Sequence, residues 1–261
     1  MKFRPCIDIH NGAVKQIVGG SLKDKGNQAV DNFVSDLDAA FYAEQYKRDG
    51  LAGGHIILLN PKGSEFYDRD VEQAAKALAA YPGGLQIGGG MDGQNAEFFL
   101  NLGASHIIVT SYVFRDGTID MERLKSLSAQ IGKEHLVLDL SCRFVNDDYY
   151  IVTNRWQMVT EEKMNLDTLR ELSEYCDEFL IHAVDVEGKA SGVEGEVVKR
   201  LGGEYILPVT YAGGVHSMED IEYIRIEGNG FVDFTVGSAL DLFGGTIPYQ
   251  SLCPGRLING K

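Results

Sequence analysis

The sequence predicts an α/β protein built as a closed (β/α)8 barrel, the TIM-barrel architecture. Three observations carry that expectation. Eight short aliphatic runs, bounded by glycine and polar residues, alternate with amphipathic helical stretches along 261 residues. Runs of this kind suit strands buried on both faces, and the alternation implies a parallel sheet. Eight βα units fill a chain of roughly 250 residues when they close into a barrel. An open doubly wound sheet is the alternative, and the absence of a glycine-rich dinucleotide fingerprint at the start of the chain argues against it.

Taken in order, the strand candidates are residues 3–9, 55–59, 85–88, 106–110, 135–140, 178–183, 208–212 and 231–236. Helical spacing lies between them. Val71, Ala74, Ala75 and Leu78 share one face, as do Phe98, Phe99 and Leu102. The same spacing recurs at Leu124, Leu127 and Ile131, at Leu166, Leu169 and Leu172, and at Met218, Ile221 and Ile224. Two connections exceed a minimal barrel. Residues 10–36 are long and polar. Residues 141–162 carry a β-like run of their own at 149–153. Long loops after strands sit at the face where barrel enzymes place their sites.

Composition sets several function classes aside. The net charge is −14 with no basic block, which argues against nucleic acid. No apolar run approaches the roughly 18–20 residues of a membrane span. The opening residues lack the long apolar stretch of a signal peptide and the Arg/Ser-rich stretch of a transit peptide. Cys6, Cys142, Cys176 and Cys253 form no CxxC pair and read as reduced thiols of a cytoplasmic protein. The six histidines form no HxxxH pair, so the spacing supports no metal site.

The chain repeats itself at half length. Gln86-Ile87-Gly88-Gly89-Gly90-Met91-Asp92 parallels Thr210-Tyr211-Ala212-Gly213-Gly214-Val215-His216. The strands that follow end at Thr110-Ser111 and Gly237-Ser238. Asp8 closes the first apolar run as Asp139 closes the fifth. One domain made of two half-barrels, about 1–131 and 132–261, follows from this register. Each half offers an aspartate after its first strand and a Gly-Gly turn after its third.

These features point to chemistry. A Gly-Gly turn between strand and helix exposes backbone N–H groups and admits close approach of an anion, and the helix N-terminus adds positive potential. Gly89, Gly90, Thr110 and Ser111 form one candidate phosphate site. Gly213, Gly214, Gly237 and Ser238 form the other, in the loops where barrels often hold phosphate. The implied ligand is elongated, with a phosphate at each end. It is anionic, like the protein, so local backbone dipoles must bind it against the global charge. Lys15, Arg143 and Arg155 are candidate local cations, each with the simpler reading of a solvated surface charge. Asp8 and Asp139 would flank the ligand as an acid/base pair, or each would cap a neighbouring loop. His182 ends the sixth strand, to bind substrate or to pack. Trp156 stacks on a planar ligand ring or anchors its loop. His55 opens the second strand, at the end away from a barrel's site.

Longer segments carry a family resemblance. Cys6-Ile7-Asp8-Ile9-His10-Asn11-Gly12, with Val14-Lys15-Gln16-Ile17-Val18-Gly19-Gly20, resembles the opening of the ribotide isomerases of histidine biosynthesis. Asn154-Arg155-Trp156, the run from Phe179 to Gly188, Tyr211-Ala212-Gly213-Gly214-Val215 and Val236-Gly237-Ser238-Ala239-Leu240 are similar too. The likeness is greatest to the fungal and plant branch. Bacterial relatives place a threonine where His182 stands, and an Asp-Leu-Asp pattern where this chain reads Leu59-Asn60-Pro61.

The resemblance implies an Amadori rearrangement of an N-glycosidic aminoaldose (ProFAR) to an aminoketose (PRFAR), with no metal or organic cofactor. It implies Asp139 as the acid that opens the ribose ring and Asp8 as the base that removes the C2′ proton. The only expected partner is the bisphosphorylated ribotide, and the expected form is a monomer. Two alternatives are the sister cyclase, which needs an ammonia-supplying glutaminase, and a non-catalytic phosphate-binding barrel. The Lys15-to-Gly20 stretch and Trp156 favour the isomerase over the cyclase. Paired aspartates, which pure binding does not require, argue against the binding barrel.

Overall fold

The computed structural model describes residues 1–17, 30–154, 156–187 and 191–255. Gly19, Gly20, the polar stretch 23–26 and Arg155 lie outside the described residues. Eight strands follow the expected runs: β1 (Cys6–His10), β2 (Gly54–Leu58), β3 (Leu85–Gly88), β4 (Ile107–Val109), β5 (Leu136–Asp139), β6 (Glu178–His182), β7 (Val209–Ala212) and β8 (Val232–Phe234). Each pairs in parallel with the next. The last strand returns to the first. Arg4 N–H donates to the Phe234 carbonyl at 2.8 Å, and Phe234 N–H to the Lys2 carbonyl at 3.1 Å. These bonds surround a parallel bridge between Phe3 and Phe234. The parallel sheet therefore closes on itself, as expected of a (β/α)8 barrel, and leaves no open edge among its eight strands. The open-sheet alternative falls.

Among the described residues eight α-helices alternate with the strands: α1 (Ala39–Arg48), α2 (Tyr67–Ala80), α3 (Ala96–Asn101), α4 (Met121–Ile131), α5 (Leu166–Leu172), α6 (Gly195–Gly202), α7 (Met218–Glu227) and α8 (Tyr249–Leu252). Polar caps set several starts. Asp38, Asp120 and Asn165 accept N–H bonds in the first turns of α1, α4 and α5, and Ser217 with Asp220 forms a capping box on α7. The buried faces are narrower than the periodicity suggests. Phe99, Ile221 and Ile224 are buried, but Phe98 is 50% exposed and Met218 42%.

The strand period of two separates two apolar regions. Alternate residues point outward to the helices and make the main core. Inside the barrel, Ile108, Val137, Leu180 and Ala212 form a small separate cluster with Ile57 against it. That plug lies below the C-terminal strand ends. In register, Asp8 stands beside Ile57 and Asp139 beside Leu180. Both aspartates are therefore register partners of residues that form or pack against the plug.

Both long connections carry strands among their described residues. Residues 10–36 contain the strands Ala13–Ile17 and Asp31–Val34, which extend the sheet from β1 in antiparallel sense. The connection after β5 is a three-stranded antiparallel sheet, Cys142–Val145, Asp148–Thr153 and Met158–Lys163, of which the sequence showed only the middle strand. Its first turn is Asn146-Asp147, both at positive φ. Asn and Asp tolerate that conformation and suit a two-residue hairpin turn.

Charge closes the opposite end of the barrel. Arg4 Nε lies 2.9 Å from Asp233 and its Nη2 3.4 Å from Glu178, and all three side chains are nearly buried. Thr210 also donates to Glu178. Arg4→Ala leaves two carboxylates buried without their cation. It is expected to cost about 3–5 kcal/mol and to lower the thermal midpoint by roughly 10 °C, read by calorimetry.

Candidate active site

A cavity of about 890 Å3 opens at the C-terminal ends of the strands. All twelve site residues singled out from the sequence line it: Asp8, Asp139, Gly89, Gly90, Thr110, Ser111, Gly213, Gly214, Gly237, Ser238, Trp156 and His182. Closure explains the convergence. β1 and β5 lie half a turn apart in the strand order, as do the β3–β4 and β7–β8 pairs. The aspartates thus face each other on one diameter of the mouth and the glycine turns on another.

Asp8 is half-buried. Gln16, on the strand after β1, donates from Nε2 to its Oδ2 at 3.1 Å. Gly237 makes room for that amide, since a Cβ there would stand 2.4 Å from Gln16 Oε1. Burial, reinforced by the Glu187 carboxylate, pushes the Asp8 carboxyl up to about 7. A group near 7 is suited to take a proton at neutral pH.

Asp139 ends β5 among donors. Ser141 Oγ donates to Oδ1 at 2.9 Å, Thr110 Oγ1 to Oδ2 at 3.3 Å, and His182 Nδ1 lies 3.3 Å from Oδ1. The Trp156 indole N–H donates to Ser141 Oγ at 3.1 Å. The Trp156 and His182 rings are neighbours, 6.1 Å between centroids. Burial opposes a charge on His182, but Asp139 outweighs it with help from Glu187 and Asp8, and the imidazole is pushed up to about 9.

His55 corrects an expectation. It is the second residue of β2 but lines the cavity, because its register beside Cys6 turns the ring inward below Asp8. Burial, then repulsion from His182, pushes it down to about 3, so the ring is neutral. Donor atoms of Cys6, Asp8 and His55 lie within 4.8 Å of one another. A metal there would need the Cys6 thiolate, yet burial and the Asp8 charge push that thiol well above its usual range.

The glycine turns are built for close approach. Gly89 and Gly214 both have positive φ. A Cβ on Gly89 would lie 2.1 Å from the Leu58 carbonyl, and one on Gly214 2.1 Å from the Gly192 carbonyl. Among the described residues, the N–H groups of Gly90, Gly214, Gly237 and Ser238 donate to no protein acceptor. The helix N-termini do not contribute as expected. Asp220 accepts the His216 and Ser217 N–H groups ahead of α7, and Asp92 accepts those of Gln94 and Asn95 ahead of α3. Of the candidate cations, Lys15 pairs with Asp31 and Arg143 with Asp185. The cation beside the first turn is Lys62, 2.6 Å from Asp92.

Gln16, Ser141, Glu187, His55 and Lys62 escaped the sequence reading as site residues. Gln16 and Glu187 lie within segments that carry the resemblance, so a signal was present without a role. Ser141 stands just past the strand run expected at 135–140, two residues beyond the end of β5, and reads as loop.

Comparison with known proteins places this arrangement. The family described as histidine biosynthesis protein matches residues 2–247. A relative from Medicago truncatula is 51% identical over 256 residues, covering 97% of this chain and 80% of that protein. Its name is 1-(5-phosphoribosyl)-5-((5-phosphoribosylamino)methylideneamino) imidazole-4-carboxamide isomerase, chloroplastic. Relatives bearing the same isomerase name from Yarrowia lipolytica and Saccharomyces cerevisiae are 46% and 41% identical, covering 94% and 97% of this chain and 93% and 97% of theirs. This chain belongs to the histidine biosynthesis protein family.

Proposed function

We propose that this protein is the isomerase of histidine biosynthesis that converts ProFAR to PRFAR by Amadori rearrangement. The observation that carries the reading is the crossed arrangement of the mouth, with two aspartates on one diameter and two glycine turns on the other. A ribotide with a phosphate at each end spans the turns and presents its ribose between the carboxylates. Gly89, Gly90, Thr110 and Ser111 hold one phosphate, and Gly213, Gly214, Gly237 and Ser238 the other. Trp156 offers a ring face to the planar imidazole carboxamide. A proton from the Asp139 side opens the ribose to a Schiff base. Asp8 then removes the C2′ proton, and the enolamine becomes the ketone.

The two glycine turns and two aspartates in half-chain register support a pair of half-barrels, about 1–131 and 132–261, within a single domain. The reading needs no residue from a second copy, so a monomer suffices for it. All four cysteines are buried, and Cys6, Cys142 and Cys176 are free thiols, in keeping with a reducing compartment such as the cytoplasm, while the Medicago relative is named chloroplastic. Among the described residues no helix is long and apolar enough to cross a membrane.

The deciding experiment is an absorbance assay on the synthetic ribotide, without metal or glutaminase. Conversion to the aminoketose is expected, with kcat/KM rising with pH through about 7 as Asp8 loses its proton. No conversion, or activity only with a glutaminase and ammonia, overturns the isomerase in favour of the cyclase or the binding barrel.

A further inference from the structure

We propose that the proton which opens the ribose ring is carried by His182, with Asp139 as the carboxylate that holds and orients it. The proposal rests on the isomerase reading and specifies the acid of that same site.

The hydrogen-bond directions support it. An indole N–H only donates, so Ser141 Oγ accepts from Trp156 and spends its own proton on Asp139. Thr110 donates to the other carboxylate oxygen. Asp139 is thus ringed by donors, and an acceptor-only carboxylate satisfies all of them. The remaining neighbour is the His182 imidazole at 3.3 Å, with both side chains largely shielded from solvent. A proton shared between an imidazole and a carboxylate rests on the more basic nitrogen. Among the described residues, Nε2 has no hydrogen-bond partner, and His182 lines the cavity. Nδ1 is therefore the tethered nitrogen and Nε2 the one that can meet the substrate.

The charged surroundings agree. His182 faces Asp139 from β5, Asp8 from β1 and Glu187 from the segment after β6, all favouring the imidazolium, while His55 on β2 is neutral. Three carboxylates converge on one imidazole, and burial alone opposes its charge. Fixing Nδ1–H on a carboxylate also orients the ring, as in other histidine acids and bases.

The steps balance. Nε2–H gives its proton to the ribose ring oxygen as the bond from that oxygen to C1′ breaks, and the anomeric nitrogen's lone pair forms C1′=N. The Asp8 carboxylate removes the C2′ proton. The C2′–H pair becomes C1′=C2′, and the C1′=N pair returns to nitrogen. The neutral imidazole then takes the C2′ hydroxyl proton as Asp8 returns its proton to C1′. Both groups end as they began.

The test joins a titration to kinetics. Nitrogen NMR of the wild-type imidazoles is expected to show His182 protonated up to about pH 9, and Asp139→Asn to lower that value. On the ribotide, His182→Gln is expected to lower kcat roughly 100-fold with KM little changed, and to abolish the loss of rate at alkaline pH. A wild-type His182 that is neutral at pH 7 overturns the proposal without any variant. So does a His182→Gln enzyme with near-wild-type kcat and an unchanged alkaline limb, and in that case the isomerase reading survives. A wild-type protein that fails to convert the ribotide overturns both.

Discussion

Asp8→Asn is expected to lower kcat/KM for the ribotide by roughly 100-fold or more, the scale of general acid–base catalysis. The substitution keeps the shape of the side chain, and its amide oxygen can still accept the Gln16 bond that positions Asp8. What it loses is the ability to take a proton from carbon. The wild-type carboxyl is pushed up to about 7 by burial and by Glu187, so it is basic enough to act and still half ionised at neutrality. Kinetics against pH check the assignment. The wild-type rise through about 7 is expected to vanish in the variant. An unchanged thermal midpoint would show that the loss is chemical. Near-normal turnover would remove Asp8 from the base role.

Gly214→Asp is expected to raise KM by on the order of 100-fold. Losing two charge-assisted bonds to phosphate, at about 1.5 kcal/mol or more each, accounts for two orders of magnitude in affinity. The side chain has nowhere to go. Its Cβ would meet the Gly192 carbonyl at 2.1 Å and Val186 Cβ at 2.9 Å, and the backbone sits at φ +73°. The turn must shift, and a carboxylate then competes with the phosphate. Gly230→Asp is the control, because Gly230 has φ +70° with nothing within 4 Å of its added Cβ. Calorimetric binding of the ribotide should fall for Gly214→Asp and hold for Gly230→Asp. Equal affinity in the two variants would take phosphate away from this turn.

Much of the barrel was legible because its strands are buried on both faces. Continuous aliphatic runs such as Ile107–Val109 have no polar face, and glycine or polar residues bound them. The half-length repeat then sets Asp8 against Asp139 and one glycine turn against the other from sequence spacing alone. Legibility failed where a side chain's role depends on distant neighbours. Residues 10–36 read as polar loop, but the pairing of Ala13–Ile17 with β1 makes Gln16 the ligand of Asp8. His55 read as remote because its strand position was counted along the chain, whereas the strand period turns it into the cavity. The helix ends looked available for phosphate, but Asp220 and Asp92 already satisfy the N–H groups there.

From its residues alone the chain declares a (β/α)8 barrel, the two aspartates and the two glycine turns, since these are properties of local pattern and of repeat spacing. Strand order and closure decide the rest. They bring His182 of β6 to Asp139 of β5, aim the Trp156 indole N–H at Ser141 Oγ, and set Glu187 near Asp8. Proton affinity depends on the charges and the lost water around a group. Those surroundings come from parts of the chain far apart in sequence, so only the closed barrel determines which residue holds the proton.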